Sequence, residues 1–372
     1  MLINNLASKF QSDYAGKTVL VTGHTGFKGS WIVAWLVKLG ANVVGVALDP
    51  PTEPSHFKVS EISKRIKDLR IDIRDGNSIQ ETIVTTKPNF VFHLAAQSLV
   101  KKSYENPIET WQTNVIGTLN ILEALRKLNE PCTTVIITSD KCYKNKEQVF
   151  GYAETDELGG IDPYSASKAA AEIAIQSHIN NFFSSKESLV RIATARAGNV
   201  IGGGDWAQDR IIPDCVKKWS QSLSVNLRNP NATRPWQHVL EPLSGYLALA
   251  LALGKDSKLH GEAFNFGPQP GEDYSVFELV EEMSIHWDKA KWRNATDISD
   301  KHYESTLLRL NCNKALSLLD WQGTMNFKET ISMTAEWYQS FYLKPEQILD
   351  ITNNQIDKYI SLAKSKGLQW AQ

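Results

Sequence analysis

The chain predicts an α/β protein: a doubly wound parallel sheet with a smaller, mostly C-terminal α/β lobe. Three observations carry the prediction. Across residues 1–200, short β-rich apolar runs alternate with longer stretches of helical period. The runs are apolar throughout instead of alternating with polar residues, so helices must cover both faces of the sheet. The first run enters a helix through the glycine-rich turn Gly23-His24-Thr25-Gly26-Phe27-Lys28-Gly29.

The elements follow in order. Strand candidates lie at 18–23, 42–48, 89–95, 133–139 and 190–196. Between the first two, Trp31, Trp35 and Leu39 recur at helical spacing and mark a face packed on the sheet. A second long helical stretch spans 108–128. After residue 200 the character changes. A Gly- and Asp-rich loop carries Trp206, a candidate cover for a ligand, and helical stretches follow at 241–254 and 275–287. Residues 1–200 therefore read as a dinucleotide-binding domain and 201–372 mostly as a substrate lobe, with a segment near 235–260 returning to the first domain.

Composition narrows the partners. Forty basic residues nearly balance forty-one acidic ones, so no basic excess points to nucleic acid. Four scattered cysteines have no metal-ligand spacing and read as thiols of a reducing compartment. No metal is expected. No stretch suggests a leader or a membrane span, and a cytoplasmic protein acting on a small or anionic metabolite is the expectation.

Chemistry concentrates at a few positions. Gly23, Gly26 and Gly29 allow a tight turn and a close approach of backbone to a pyrophosphate, which the helix N-terminus favours. The pattern is that of a Rossmann-type dinucleotide site. Asp49, ending the second strand, suits the ribose hydroxyls of NAD and repels the 2′-phosphate of NADP. Asp72 is placed to reach the adenine. Tyr164 and Lys168 stand at i and i+4, with Asp162 as helix cap and Pro163 in the first turn. A nearby ammonium is expected to pull the phenol down toward neutrality, making it a base for a substrate alcohol. Ser139, Asp140 and Lys141 close the fourth strand listed, where the acid and amine form either a solvated turn or an acid/base couple.

With the glycine loop, His93 to Gln97, Asn114, "TSDK", "YSASK" and "RAGNVIGGGDW" in view, the chain resembles the extended short-chain dehydrogenase/reductase family. The closer resemblance, carried also by "SDKCY", "DRIIPD" and "RPWQHVLEPLSGYL", is to its NAD-dependent nucleotide-sugar 4,6-dehydratases, those of CDP-glucose in particular. The resemblance implies that Ser139, Tyr164 and Lys168 handle the reacting hydroxyl. It implies that Asp140 and Lys141 carry out elimination of water, and that NAD is the cofactor. It adds Thr25, Phe27, Ile73 and Ala95 to the cofactor site, and Gln97, Asn199, Arg210, Arg234 and Arg309 to the nucleotide-sugar site. Taken alone, Arg234 and Arg309 are equally surface arginines, and Gln97 and Asn199 equally satisfied polar groups. The resemblance also implies a homodimer through the helices at 106–128 and 163–184, with Val115, Leu119 and Leu122 on the shared face. A nucleotide-sugar epimerase and a non-catalytic dinucleotide sensor are the competing readings.

Overall fold

The computed structural model describes residues 9–148, 150–184, 188–269, 271–294 and 308–372. Its sheet contains β1 (Thr18–Thr22), β2 (Asn42–Ala47), β3 (Lys67–Arg70), β4 (Phe90–His93), β5 (Cys132–Ile137) and β6 (Val190–Arg196). A seventh strand, Ala263–Asn265, completes it. The order is Ala263–Asn265, β6, β5, β4, β1, β2, β3, with every neighbouring pair parallel. The order reverses between β1 and β4. The crevice beyond their carboxyl ends is where ligands of open α/β sheets bind.

Burial explains the elements. Every residue of β4 and β5 is buried, as a doubly covered sheet requires. β3 is different. Its Lys-Asp-Leu-Arg sequence has no apolar run, because it is an edge strand whose charges discourage pairing with another chain. Helix Phe27–Lys38 buries Trp31 and Trp35 completely. Helix Pro163–His178 starts as the sequence predicts, with Asp162 accepting from the Ser165 N–H at 2.9 Å.

The second half of the chain returns to the first domain more than expected. Helix Leu240–Lys255 packs on β5 and β6, and the chain then enters the sheet at Ala263–Asn265. Helix Ile348–Ser365 packs on helix Phe27–Lys38, where Tyr359 meets Trp35 edge-on at 5.9 Å. The ring of Trp370 stacks on Phe10 at 5.4 Å. The two buried tryptophans of the glycine-loop helix need an apolar cover, and the C-terminal helix provides it. Short two-stranded ladders, Val225–Leu227 with Trp292–Asn294 and Thr233–Arg234 with Tyr274–Ser275, lie in the intervening lobe.

Two sequence expectations change here. Trp206 does not cover a ligand; it is buried and packs on Tyr338 and Phe341 at 5.1 and 5.0 Å. Leu122 faces its own core, fully buried beside Ile121 and Leu125, and Leu119 packs partly against the same cluster. The large apolar side chains left exposed on these stretches are Ile108, Trp111, Ile116, Ile173 and Phe182.

Glu241 joins the two halves. Its buried carboxyl accepts from the N–H groups of Thr324 and Met325 at 2.9 and 2.6 Å and from the Tyr359 hydroxyl at 2.8 Å. Burial pushes it up to about 7 despite these donors. The folded state thus holds this proton more tightly than the unfolded chain. The associated stability is complete below the unfolded value near 4.3 and is lost as pH rises through about 7, by roughly 3 kcal/mol. Thermal melting of wild type against Glu241→Gln between pH 5 and 8 should give a steeper decline for wild type. Equal slopes would show that Glu241 does not titrate in this range.

Candidate active site

The glycine loop leaves β1 at the switch point. Gly23 has φ +72°, and a Cβ on it would lie 2.7 Å from the Ala95 nitrogen beyond β4. A Cβ on Gly29 would lie 2.0 Å from the Gly23 carbonyl oxygen. The fold therefore demands the first and third glycines. Gly26 is not demanded in this way: a Cβ there would meet only the Gly23 oxygen, at an ordinary 3.4 Å. Helix Phe27–Lys38 begins at Gly26 with no side-chain cap. Open space over Gly26 and uncapped N–H groups fit the pyrophosphate of a dinucleotide. The residues present therefore fit NAD.

The candidate adenosine side is framed by β2 and β3. The Leu48 carbonyl accepts from Thr25 Oγ1 at 3.0 Å and from Arg70 Nη1 at 3.1 Å. Asp49, next in the chain, is exposed, with Arg70 Nε at 3.4 Å from its Oδ1. Asp72 is closed by Arg74, whose Nε and Nη2 both donate to it and hold its carboxyl below the usual range. The Ile73 side chain is buried in the core, and its carbonyl accepts from Asn120 Nδ2 at 2.9 Å.

The candidate catalytic end is formed by β5, β6 and helix Pro163–His178. Ser139 Oγ donates to Asp140 Oδ1 at 2.9 Å and accepts from the Lys141 N–H at 3.2 Å. Asp140 is buried, not a solvated turn residue. Its carboxylate occupies the space beside Gly198, where a Cβ would come within 2.0 Å of Oδ2. Asn199, at φ +53°, brings its Nδ2 to 3.5 Å from the same oxygen. This explains why glycine and asparagine follow β6. Lys141 lines a cavity of about 40 Å³ with Gly160, Asp162, Ser165 and Leu308, and its ammonium has no hydrogen bond or ion pair among the described residues.

Tyr164 and Lys168 are both buried on one helix face. The expected depression of the phenol by Lys168 is absent. Burial dominates and pushes Tyr164 up to about 12, while Ser139 and Arg210 draw it down and Asp140 raises it. The Lys168 ammonium reaches the Ile137 carbonyl, at 3.5 Å. Burial, then Lys28, pushes it down to about 8. Spacing alone could not reveal this direction, because i and i+4 fix the face and not the orientation of the ammonium.

The remaining candidates divide. Arg210 pairs with Asp205 at 2.6 Å and lies in the electrostatic reach of Tyr164. Arg234 is in register with Tyr274, and Arg309 sits 2.7 Å from the adjacent Asp273, so both arginines border the same segment. Gln97 has its amide engaged within the fold: Nε2 donates to Leu99 O and Thr110 Oγ1, and Oε1 accepts from the Leu99 N–H. It braces the loop after β4, with Asn114 Oδ1 accepting its backbone N–H at 2.8 Å.

Sequence reasoning missed Lys28 and the pair Glu172–Arg196. Lys28, pushed down to about 8 by burial and then Arg210, faces the field of Asp140. A lysine in the first turn of a helix opposes the helix dipole, which is a readable signal. Glu172 and Arg196 form a bidentate buried pair under the site, both bonds 2.9 Å. Among the described residues no helix can cross a membrane and no cluster could hold a metal ion.

Residues 20–334 match the family model described as GDP-mannose 4,6 dehydratase. The chain belongs to this family. Within this dehydratase family and its relatives, CDP-glucose 4,6-dehydratase of Salmonella typhimurium is 43% identical over 94% of this chain and 97% of its own length. UDP-glucose 4-epimerase of Mycoplasma pneumoniae is 24% identical over 87% and 97%. Among solved structures, the UDP-glucose 4-epimerase of Stenotrophomonas maltophila, with bound NAD and formylated UDP-arabinopyranose, superposes with a TM-score of 0.76. It covers 88% of this chain and 99% of that one, at 20% identity, a likeness of fold alone.

Proposed function

We propose that the chain is an NAD-dependent CDP-D-glucose 4,6-dehydratase, converting CDP-glucose to CDP-4-keto-6-deoxyglucose and water. The observation that carries this reading is the buried Asp140 beside Ser139, followed by Lys141, whose ammonium has no partner among the described residues. Oxidation alone, or epimerisation, needs no acid for a leaving hydroxyl. The relative from Salmonella typhimurium supports the choice of reaction and of nucleotide.

The geometry supports the following division of labour. Ser139 and Tyr164 hold the C4 hydroxyl, and the Tyr164 oxygen takes its proton. The burial that holds the phenol near 12 must be offset by positive charge, which Arg210 contributes on this chain. When bound, NAD supplies the hydride acceptor for C4 and the donor for C6. The Lys141 amine takes the proton on C5, acidified by the C4 ketone. Asp140, in its protonated form, donates to the departing C6 hydroxyl, and water leaves. Lys141 then returns a proton to C5. Gly23, Thr25, Gly26, Phe27, Gly29, Asp49, Asp72, Ile73 and Ala95 frame the cofactor, with Tyr164 and Lys168 at its reactive end. Arg234 and Arg309 receive the diphosphate through their forks of donors, and Asn199 lines the sugar pocket beside Asp140.

The test is turnover of CDP-, dTDP-, GDP- and UDP-glucose with NAD, read by the absorbance of a keto-sugar in alkali. CDP-glucose should react fastest. Exclusive turnover of another nucleotide sugar, or a C4 epimer without keto-sugar, would overturn the reading.

We also read the protein as a homodimer. Ile108 and Ile173, on neighbouring helices, are 68% and 60% exposed, and Trp111 and Ile116 extend the same apolar region. Such a face is stable in water when a twofold mate covers it. Sedimentation at micromolar concentration should give the dimer mass, and Ile108→Glu with Ile173→Glu should give monomer. A monomeric wild type would refute this.

A further inference from the structure

The frame under Asp49 contains a residue that the cofactor reading leaves without a role. Arg70 ends β3 in register with Ala47 of β2, so it lies across from the strand that delivers Asp49. Its guanidinium is fixed from four sides. Nη1 donates to the Leu48 carbonyl at 3.1 Å and Nη2 to Asp68 Oδ2 at 2.9 Å. Nε stands 3.4 Å from Asp49 Oδ1, and the group lies 5.2 Å over the Phe57 ring. Asp68 is itself held: its other oxygen, Oδ1, is 2.8 Å from Nε2 of the buried His24, inside the glycine loop. Thr25 of the same loop shares the Leu48 carbonyl. Glycine loop, β2 and β3 therefore lock one arginine against one exposed carboxylate. Ordinary surface ion pairs are not anchored in this way.

Resting on the reading of Asp49 as the ribose ligand, we propose that Arg70 sets the discrimination between NAD and NADP jointly with Asp49. Arg70 orients the Asp49 carboxylate, whose negative charge favours a ribose diol and repels a phosphate. Once that carboxylate is removed, the Nε–H edge of Arg70, held in place by the bonds to Leu48 and Asp68, is left to receive the 2′-phosphate of NADP.

The test is equilibrium binding of NAD and of NADP to the full chain without substrate, read by quenching of tryptophan fluorescence. Wild type should prefer NAD. Asp49→Asn should bind NADP roughly 10- to 100-fold more tightly than wild type, the worth of one charge-assisted pair. Adding Arg70→Gln to Asp49→Asn should abolish that gain, and adding Arg70→Lys, which keeps the charge and loses the fork, should retain part of it. If Asp49→Asn binds NADP equally well with and without Arg70, or gains no affinity for it, the proposal is overturned. The lysine variant carries the comparison if the glutamine variant does not fold. Failure of wild type to bind NAD at all would instead remove the cofactor reading, and this proposal with it.

Discussion

Lys141→Met should bind CDP-glucose and NAD, oxidise C4, and stop. The substitution keeps the bulk in the small cavity beside Gly160 and Leu308 but removes the amine. The C5 proton then has no base, elimination fails, and reduced cofactor accumulates at 340 nm without product. Asp140→Asn should behave alike, since it keeps the Ser139 contact and the fit against Gly198 while losing the transferable proton. Tyr164→Phe should fail one step earlier and give no absorbance change. Each general acid or base contributes about 10²- to 10⁴-fold, so residual turnover remains measurable. Solvent deuterium should enter C5 with wild type and not with Lys141→Met. Normal dehydration by Lys141→Met would mean that another group takes this proton.

The difference between these variants bears on what the sequence could reveal. The glycine loop and the Tyr164–Lys168 pair were legible because their geometry is local: a few residues fix a turn or a helix face. The acid at 140 was legible as a candidate, but its environment was not. Whether Asp140 is solvated depends on Gly198 and Asn199, which approach from β6, far along the chain. The direction of the Tyr164 shift was misread for the same reason. Spacing predicted a cation beside the phenol, yet burial by distant elements outweighs it, and the Lys168 ammonium turns to the β5 carbonyl. β3 lacked the apolar run that marks a strand, because an edge strand is specified by its partner and not by its own burial. The return of the last helix to cover Trp35 left no local mark at either position.

Arg196→Met should cost about 3–5 kcal/mol, the largest stability loss expected from a single change outside the catalytic residues. The guanidinium is buried and serves three elements at once. It binds both oxygens of Glu172 at 2.9 Å, and through Nη1 it donates to the Tyr143 hydroxyl at 2.7 Å. Tyr143 in turn donates to Asn265 Oδ1 at 2.8 Å, on the seventh strand. Glu172 also accepts from Thr138 at 2.5 Å and Thr194 at 3.1 Å; against the raising effect of burial, the charge and hydrogen bonds of Arg196 first, and then these hydroxyls, hold its carboxyl below its ordinary value. Methionine fills the space but leaves that carboxylate uncompensated, which is the expensive outcome. The thermal midpoint should fall on the order of 5–15 °C. Glu172→Gln combined with Arg196→Met removes both charges and should recover part of the loss, since an unpaired charge costs more than an absent pair. Tyr143 directly follows the turn Asp140–Cys142, so the single variant should also lower kcat more than it raises KM for CDP-glucose. A midpoint within about 1 °C of wild type would mean that solvent reaches Glu172 and that the pair does not hold the catalytic turn.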